Sequence, residues 1–251
     1  MSNELYQAIF KRKSFHFFRN IGSEKISETE LKDIRDYFYG LKPLTEGIRY
    51  EIKIVKDSTT CKVGQEYCVL FYSEQKDNYL QNIGYLGEML DLYLTSKNIG
   101  TLWYGMGKAK EKEEDGMSFV IMMAIAKVDS SDKFRTDINQ GKRKDVDEIW
   151  HGDHYRDIAD IVRYAPSAVN SQPWKVEATE KQLKVYRNGK RNLFSVMSKD
   201  TMIYFNSIDM GIFLCFLELC LKHKDISFER TLYVESDPKA ELNLLAQYDL
   251  D

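Results

Sequence analysis

Proline, cysteine and histidine are all scarce in this 251-residue chain, with four residues of each. The cysteines, Cys61, Cys68, Cys215 and Cys220, show no Cys-x-x-Cys spacing, so the pattern of a structural zinc site is missing. Positive charge is not in excess. Lys and Arg number 36 against 39 Asp and Glu, which argues against the basic stripe of a nucleic-acid binder. Long apolar runs are lacking too: the longest, Ile212 to Leu221, is broken by Glu218 and reaches about half of the roughly 20 residues a bilayer span requires. It reads as a buried core helix. Met1 to Asn3 lead directly into the amphipathic Glu4 to Phe10, without the apolar region of a secretion signal. The expectation is a cytoplasmic protein with reduced thiols and neither a membrane nor a nucleic-acid partner.

What is present is an ordinary globular composition, 43% hydrophobic and 30% charged. The length suits one large domain or two small ones. An internal repeat bears on that choice. Gly84 to Ile99 aligns with Gly211 to Ile226 at an offset of 127, sharing Gly84/Gly211, Leu90/Leu217, Leu92/Leu219, Leu94/Leu221, Lys97/Lys224 and Ile99/Ile226, with Asp91/Glu218 conserving charge. At an offset of 124, Asp33 to Asp36 falls over Asp157 to Asp160. The alternating Tyr50, Ile52 and Ile54 then fall over Trp174, Val176 and Ala178. Helix, strand and helix recur in order, so the chain reads as two diverged half-units, 1–130 and 154–251, with 131–153 as a charged linker.

The first half reads as a helix from Ser2 to Arg12, a helix capped by Ser27 with Glu30 and running to Tyr39, a strand over Arg49 to Val55 and a buried strand over Tyr67 to Tyr72. A long helix over Leu80 to Lys97 and a strand over Ser118 to Lys127 complete it. The second half reads as a helix over Tyr155 to Arg163, strands at Trp174 to Ala178, Leu183 to Tyr186 and Thr201 to Phe205, a helix from Asp209 to His223, and a strand from Arg230 to Val234.

Three segments gather chemistry-bearing groups. Arg12-Lys13-Ser14-Phe15-His16-Phe17-Phe18 offers cations, a hydroxyl and an imidazole suited to a phosphate or polyol chain, or else it is a solvated basic helix end. Ala165 to Trp174 contains two prolines with Ser167, Asn170 and Gln172; it is either a stiff polar rim for a planar heterocycle or a helix-to-strand turn, which would not need the two amides. Asn98 to Gly107 follows the long helix as a glycine-bearing loop, with Gly100 fitting a helix C-cap and Gly105 and Gly107 open to a ligand or to simple turning.

Together these segments resemble the FMN-dependent nitroreductase family. Arg12-Lys13-Ser14-x-His16-x-Phe18 is similar to its Arg-Arg-Ser-x-Arg-x-Phe motif, and Ala165-Pro166-Ser167-Ala168-Val169-Asn170-Ser171-Gln172-Pro173-Trp174 to its Ala-Pro-Ser-x-x-Asn-x-Gln-Pro-Trp motif. Gly100 to Gly105 and Lys142 to Ile149 resemble its Leu-Gly-Leu-Gly-x-x-Trp-x-Gly stretch and its terminal Arg-Lys-Pro-x-x-Glu-Ile element. The resemblance implies an α+β, three-layer fold with central mixed or antiparallel sheets flanked by helices, as in a single-chain subgroup that looks like a fused dimer. It implies FMN, with Arg12, Ser14, Lys142 and Arg143 on the phosphate and ribityl chain and Lys13 or His16 near the pyrimidine. Pro166, Ser167 and Asn170 would line the ring, and the backbone of Tyr104, Gly105 and Met106 would face its reactive edge. The implied activity is hydride transfer from NAD(P)H to a small nitroaromatic, quinone or similar acceptor, with no catalytic side chain. His16 departs from the family's Arg or Lys, which leaves a flavin-binding or flavin-free pseudoenzyme as the alternative. At the offset of 124 Ser167, Asn170, Gln172 and Trp174 meet Pro43, Glu46, Ile48 and Tyr50, so one site is expected, in a monomer.

Overall fold

The computed structural model describes residues 2–189 and 197–251. In chain order the first sheet's elements are α1 (Ser2–Lys11), α2 (Glu28–Tyr39), β1 (Tyr50–Val55), β2 (Tyr67–Ser73), α3 (Tyr79–Ser96), β3 (Ile99–Trp103), β4 (Glu113–Glu114) and β5 (Met117–Lys127). After short 3-10 turns come α4 (Val146–Ile149), β6 (Trp150–His151), α5 (Arg156–Val162), β7 (Trp174–Ala178), β8 (Gln182–Asn188), α6 (Lys199–His223), β9 (Phe228–Leu232) and β10 (Leu242–Leu250).

The strands form two sheets of the same order. The first runs β1-β2-β5-β3 with β4 beside β5, and the second runs β6-β7-β8-β10-β9. Every pairing is antiparallel except that of β6 with β7. β2 and β5 are apolar on both faces because both are covered: α3 lies on one side, and Phe15, Phe18, Cys61 and Phe134 pack with Leu70 and Met122 on the other. β8 alternates buried and half-exposed residues, the signature of a sheet with one wet face. Between the sheets α3 and α6 pack on each other, and α1 lies against both. The fold is α+β, as the resemblance implied.

The crossing of α3 and α6 is set by two glycines. A Cβ on Gly84 would stand 2.0 Å from the Ile208 carbonyl oxygen, and one on Gly211 would stand 1.9 Å from the Gln81 carbonyl oxygen. Gln81 and Ile208 are themselves 127 positions apart, like Gly84 and Gly211, so the two contacts are the same contact seen from either helix. Backbone against backbone at this spacing admits no side chain.

Helix starts follow local chemistry. Ser27 and Glu30 make the expected capping box, and Ser198 accepts the Thr201 amide to open α6. That cap corrects the strand expected at Thr201 to Phe205: those residues form the first turns of α6, where the cap and the packing override their β-branched and aromatic character. Ile99 to Trp103 forms β3 rather than a loop, and Gly100 is a strand residue beneath the Phe15 ring and not a C-cap. α3 closes at Lys97, and Asn98 takes the left-handed conformation, φ 59°. The expected linker contains α4 and β6, and β6 pairs in the second sheet. β10 was not expected, because Asn243 and Gln247 interrupt its alternation. Among the described residues one helix, α6, is long and apolar enough to cross a membrane, yet 89% of its apolar window is buried.

Either Gly84→Ala or Gly211→Ala drives a methyl into backbone and should destabilise the protein by roughly 3 kcal/mol, the upper end of ordinary overpacking. Urea or thermal denaturation of each variant against the parent chain measures this.

Candidate functional site

A cleft of about 800 Å³, counting its open mouth, lies between the start of the chain and α6. Ser14 and His16 reach it because the segment after α1 runs along β3: Ser14 bridges Thr101 in parallel, and the Phe15 amide donates to the Thr101 carbonyl at 2.9 Å. Trp103, Gly105 and Met106 follow from the end of β3, Pro166 to Val169 come from the loop before β7, and Phe205, Asp209 and Ile212 come from α6. Gly105 has no Cβ because the Phe205 ring would lie 2.9 Å from it. Met106 and Val169 are 69% and 64% exposed at the mouth.

Of the residues expected at the site, Ser14, His16, Gly105, Met106, Pro166 and Ser167 line this cleft. Arg12, Lys13, Tyr104, Lys142, Arg143 and Asn170 do not. Tyr104 spends its amide on the Met122 carbonyl and its carbonyl on Gly107. Lys13 lies over the Phe15 ring, 4.8 Å from its centroid, and burial and the neighbouring Arg135 lower its pKa. Lys142 is exposed.

Arg12 turns inward instead of toward solvent. It is 3% exposed, its Nε sits 3.0 Å from Asp91 Oδ2 and 3.9 Å from Glu88 Oε1, and its Nη2 has no partner. Asp91 also accepts from Thr101 Oγ1 at 2.6 Å, and Glu88 accepts from Trp103 Nε1 at 3.0 Å. One cation thus faces two carboxyls. Desolvation, then the nearby Asp91, raises the Glu88 pKa well above its ordinary value.

The Pro166 loop is strained and heavily braced. Val169, Asn170 and Gln172 all have positive φ, at 47°, 55° and 49°, and for the β-branched Val169 this is a true outlier. The Ser167 hydroxyl accepts the Gln172 amide at 3.0 Å, and the Gln172 side chain accepts the Lys144 amide at 2.8 Å. Lys144 Nζ reaches the carbonyls of Ser171 and Gln172. Asn170 accepts from Arg143 at 3.0 Å and donates to the Lys142 carbonyl. The two amides that turning alone did not explain therefore tie the loop to residues 142–144.

From beneath, Asp209 accepts the Ala168 amide on both oxygens at 3.1 Å, and Ser171 Oγ lies 3.5 Å away. Burial raises its pKa well above the ordinary value. Sequence reasoning passed over Asp209, although an acid inside an apolar helix was a readable signal. It also passed over Arg135. Burial and then the nearby Arg12 lower the pKa of both Arg135 and Arg143, and Arg135 adds to the shift of Arg143, which falls to about 10. Arg143 Nε has no partner. Among the described residues no carboxylate lies within ion-pairing distance of Arg135 or Arg143.

The position related to the cleft by the repeat is filled differently. Asn82, 127 positions before Asp209, accepts the amides of Leu44 at 2.9 Å and Thr45 at 3.2 Å, and Leu44 lies 124 positions before Ala168. There Arg230 donates to the Leu44 carbonyl at 2.8 Å and ion-pairs with Glu218, the counterpart of Asp91.

Residues 4–221 match a protein-family model described as "Putative TM nitroreductase". A search of the curated proteins finds no match. Among solved structures the chain is similar to a protein described as a "putative nitroreductase" from Thermotoga maritima, with a TM-score of 0.62 and 17% identity over 98% of this chain and 92% of that one. Two more distant similarities are a nitroreductase with bound FMN from Desulfitobacterium hafniense (TM-score 0.46, 16% identity, 61% of this chain and 100% of that one) and a nitroreductase family protein from Clostridium novyi (TM-score 0.41, 17% identity, 51% and 87%).

The buried charge network gives a contrast between two similar substitutions. Asp91→Asn leaves Arg12 buried without its close counter-charge and should cost about 3–5 kcal/mol, whereas Glu88→Gln replaces a neutral carboxyl by a neutral amide and should cost under about 1 kcal/mol. Because the folded pKa of Glu88 is raised, its contribution to stability is complete below the ordinary glutamate pKa of about 4.3 and declines as pH rises toward the folded value. Glu88→Gln should remove that part of the slope when urea midpoints are measured from acidic to neutral pH.

Proposed function

The chain belongs to the nitroreductase family whose model its residues 4–221 match, and from that premise we propose that it is an FMN-dependent oxidoreductase acting on a small acceptor. The observation that carries the proposal is one cleft walled jointly by Ser14 and His16 from the start of the chain and Pro166 and Ser167 from beyond its middle.

The residues present fit such a cofactor. Buried guanidinium nitrogens on Arg12 and Arg143 lack acceptors, and Arg143 is held down by like charges, which is the local demand a phosphate meets. Arg143 and Arg135 would hold the phosphate, with Ser14 toward the ribityl chain. Arg12 would act mostly from behind, since Asp91 already takes much of its charge. Pro166 and Ser167 would bound the ring on one side, with Gly105 and Met106 at its edge. When bound, FMN supplies two-electron chemistry, with NAD(P)H as donor and a nitroaromatic, quinone or similar molecule as acceptor. The protein's part is to orient the ring between braced backbone, to exclude water with Trp103, Phe205 and Ile212, and to admit the acceptor past the exposed Met106 and Val169.

The same reading treats 1–130 and 154–251 as diverged half-units joined through 131–153 into one compact body. The repeated strand order and the paired glycine contacts support it. A monomer in the cytoplasm follows as our expectation, because the crossing an ordinary dimer would make between subunits lies within this chain. Sedimentation that gives a dimer would contradict the first part. His16, where the family carries a cation, favours a second reading, a flavin-binding protein without turnover.

Apoprotein titrated with FMN should acquire the visible bands of a bound oxidised flavin, and anaerobic NADPH should bleach them; bands that persist would select the second reading. Arg143→Ala removes a charge-assisted contact worth about 1.5–3 kcal/mol and should weaken FMN binding roughly 10- to 100-fold. An unchanged titration curve would reject the phosphate assignment.

A further inference from the structure

Asp209 and Asn82 occupy equivalent places in α6 and α3 and do the same mechanical work. Each reaches a loop that precedes a strand, β7 or β1, and accepts its backbone amides, from Ala168 in one case and from Leu44 and Thr45 in the other. An amide side chain is sufficient for that work, as Asn82 demonstrates. An acid is the more expensive choice, since Asp209 is 4% exposed and no cation lies within ion-pairing distance of it among the described residues. Holding the loop therefore does not account for a carboxyl at this position.

The difference between the two places is what they face. Asn82 lies behind a loop whose Leu44 carbonyl is taken by Arg230, whereas Asp209 stands on the wall of the cleft. Among the described lining residues Asp209 and His16 are the titratable ones, and Ile121, Phe205 and Ile212 make much of the remaining surface apolar. Charged groups on the elements around α6 are engaged elsewhere: Arg12 with Asp91 and Glu88 on α3, Arg143 with Asn170, and Lys224 with Asp157 of α5 at the far end of the helix. The polar groups touching Asp209 are the Ala168 amide and the Ser171 hydroxyl, with Asn206 beyond Ser171.

We propose that Asp209 is the proton donor of the cleft, supplying the proton that must accompany hydride when an oxidised acceptor is reduced there. The proposal rests on the oxidoreductase reading. With a quinone as acceptor, hydride from reduced flavin carries two electrons and forms an O–H bond at one carbonyl oxygen. The Asp209 O–H bond breaks as its proton forms the second O–H bond on the other oxygen, and the product is the hydroquinone. Asp209 is left as a carboxylate, which water entering past Met106 and Val169 reprotonates. Burial without a nearby cation keeps the carboxyl in its neutral, proton-bearing form above the pH where an exposed aspartate would have lost it. A neutral carboxyl still accepts from the Ala168 amide, so loop holding and proton supply are compatible.

Asp209→Asn keeps an acceptor for the loop and removes the proton, and Asp209→Ala removes both. The Asn variant should bind FMN within about twofold of the parent and the Ala variant more weakly. With flavin reduced by dithionite and mixed anaerobically with a quinone, reoxidation should be about 100-fold slower in the Asn variant, in the range of lost general-acid catalysis. The parent's reoxidation rate should fall as pH rises through the raised pKa of Asp209, and that limb should vanish in the variant. Infrared difference spectra of the apoproteins give an independent reading, because the parent should show a protonated carboxyl band at neutral pH that Asp209→Asn lacks. Parental reoxidation by the Asn variant, or no such band, overturns the proposal while leaving the oxidoreductase reading intact. A parent protein that takes up no FMN, or whose reduced flavin the quinone does not reoxidise, overturns both.

Discussion

Everything in this molecule hangs from the place where α3 and α6 cross with glycine against backbone. Gly84 faces Ile208 and Gly211 faces Gln81, so neither helix can slide or rotate without leaving a gap or a clash. Close packing at such a crossing is bistable at best and not continuously adjustable. Each helix carries its own sheet, α3 on β2 and β3 and α6 on β8, so fixing the crossing fixes the sheets. It also fixes the cleft, whose floor is α6 and whose far wall is β3 and the chain that runs beside it.

Near-symmetry at the crossing gives way to asymmetry one turn away. Asn82 and Asp209 brace equivalent loops, and Asp91 and Glu218 each bind an arginine. Yet Arg12 lies just past the end of α1 and pairs with Asp91, whereas Arg230 comes from β9 and reaches the Leu44 carbonyl itself. The same buried acid, served by a cation from a different element, leaves room in one case and fills it in the other.

How much of this could be read from the chain follows the range of the interactions involved. The repeat was visible because helix faces that meet must keep their glycines and leucines, and the offset of 127 found in the sequence is the offset of the contact itself. Ser27 with Glu30 and the strand at Trp174 to Ala178 were legible for local reasons, a cap and an alternation. Thr201 to Phe205 was misread because its residue types favour strands while the Ser198 cap and continuity with the buried part of α6 impose a helix. Of the motif residues, Ser14, His16, Pro166 and Ser167 line the cleft, whereas Arg12 turns inward, which the motif did not foretell. Its partners Glu88 and Asp91 lie on another helix, and a sequence read locally sees only a basic end. Arg135 and Asp209 were missed for a related reason: each stands alone in its segment, and its significance comes from what tertiary structure brings beside it.

The Pro166 loop shows why such a site needs so many supports. Left-handed backbone at Val169, and at Asn170 and Gln172 beside it, costs of order 1–3 kcal/mol for each strained residue. A loop free to relax would shed that cost and withdraw from the cleft. Asp209 from below, Ser167 from within, and Arg143 and Lys144 from the side hold it in a shape it would not adopt alone. Braces from three directions make the wall rigid before any ligand arrives, so binding does not have to meet the ordering cost of the loop. The same braces explain why the wall is polar behind and mostly apolar in front. Most of its hydrogen-bonding groups are spent on keeping the backbone in place, and what the loop turns toward the cleft is Pro166, Ala168 and Val169 with Ser167, whose hydroxyl accepts the Gln172 amide. Against that surface a flat ring would be positioned by shape, with the buried carboxyl of Asp209 beneath the loop.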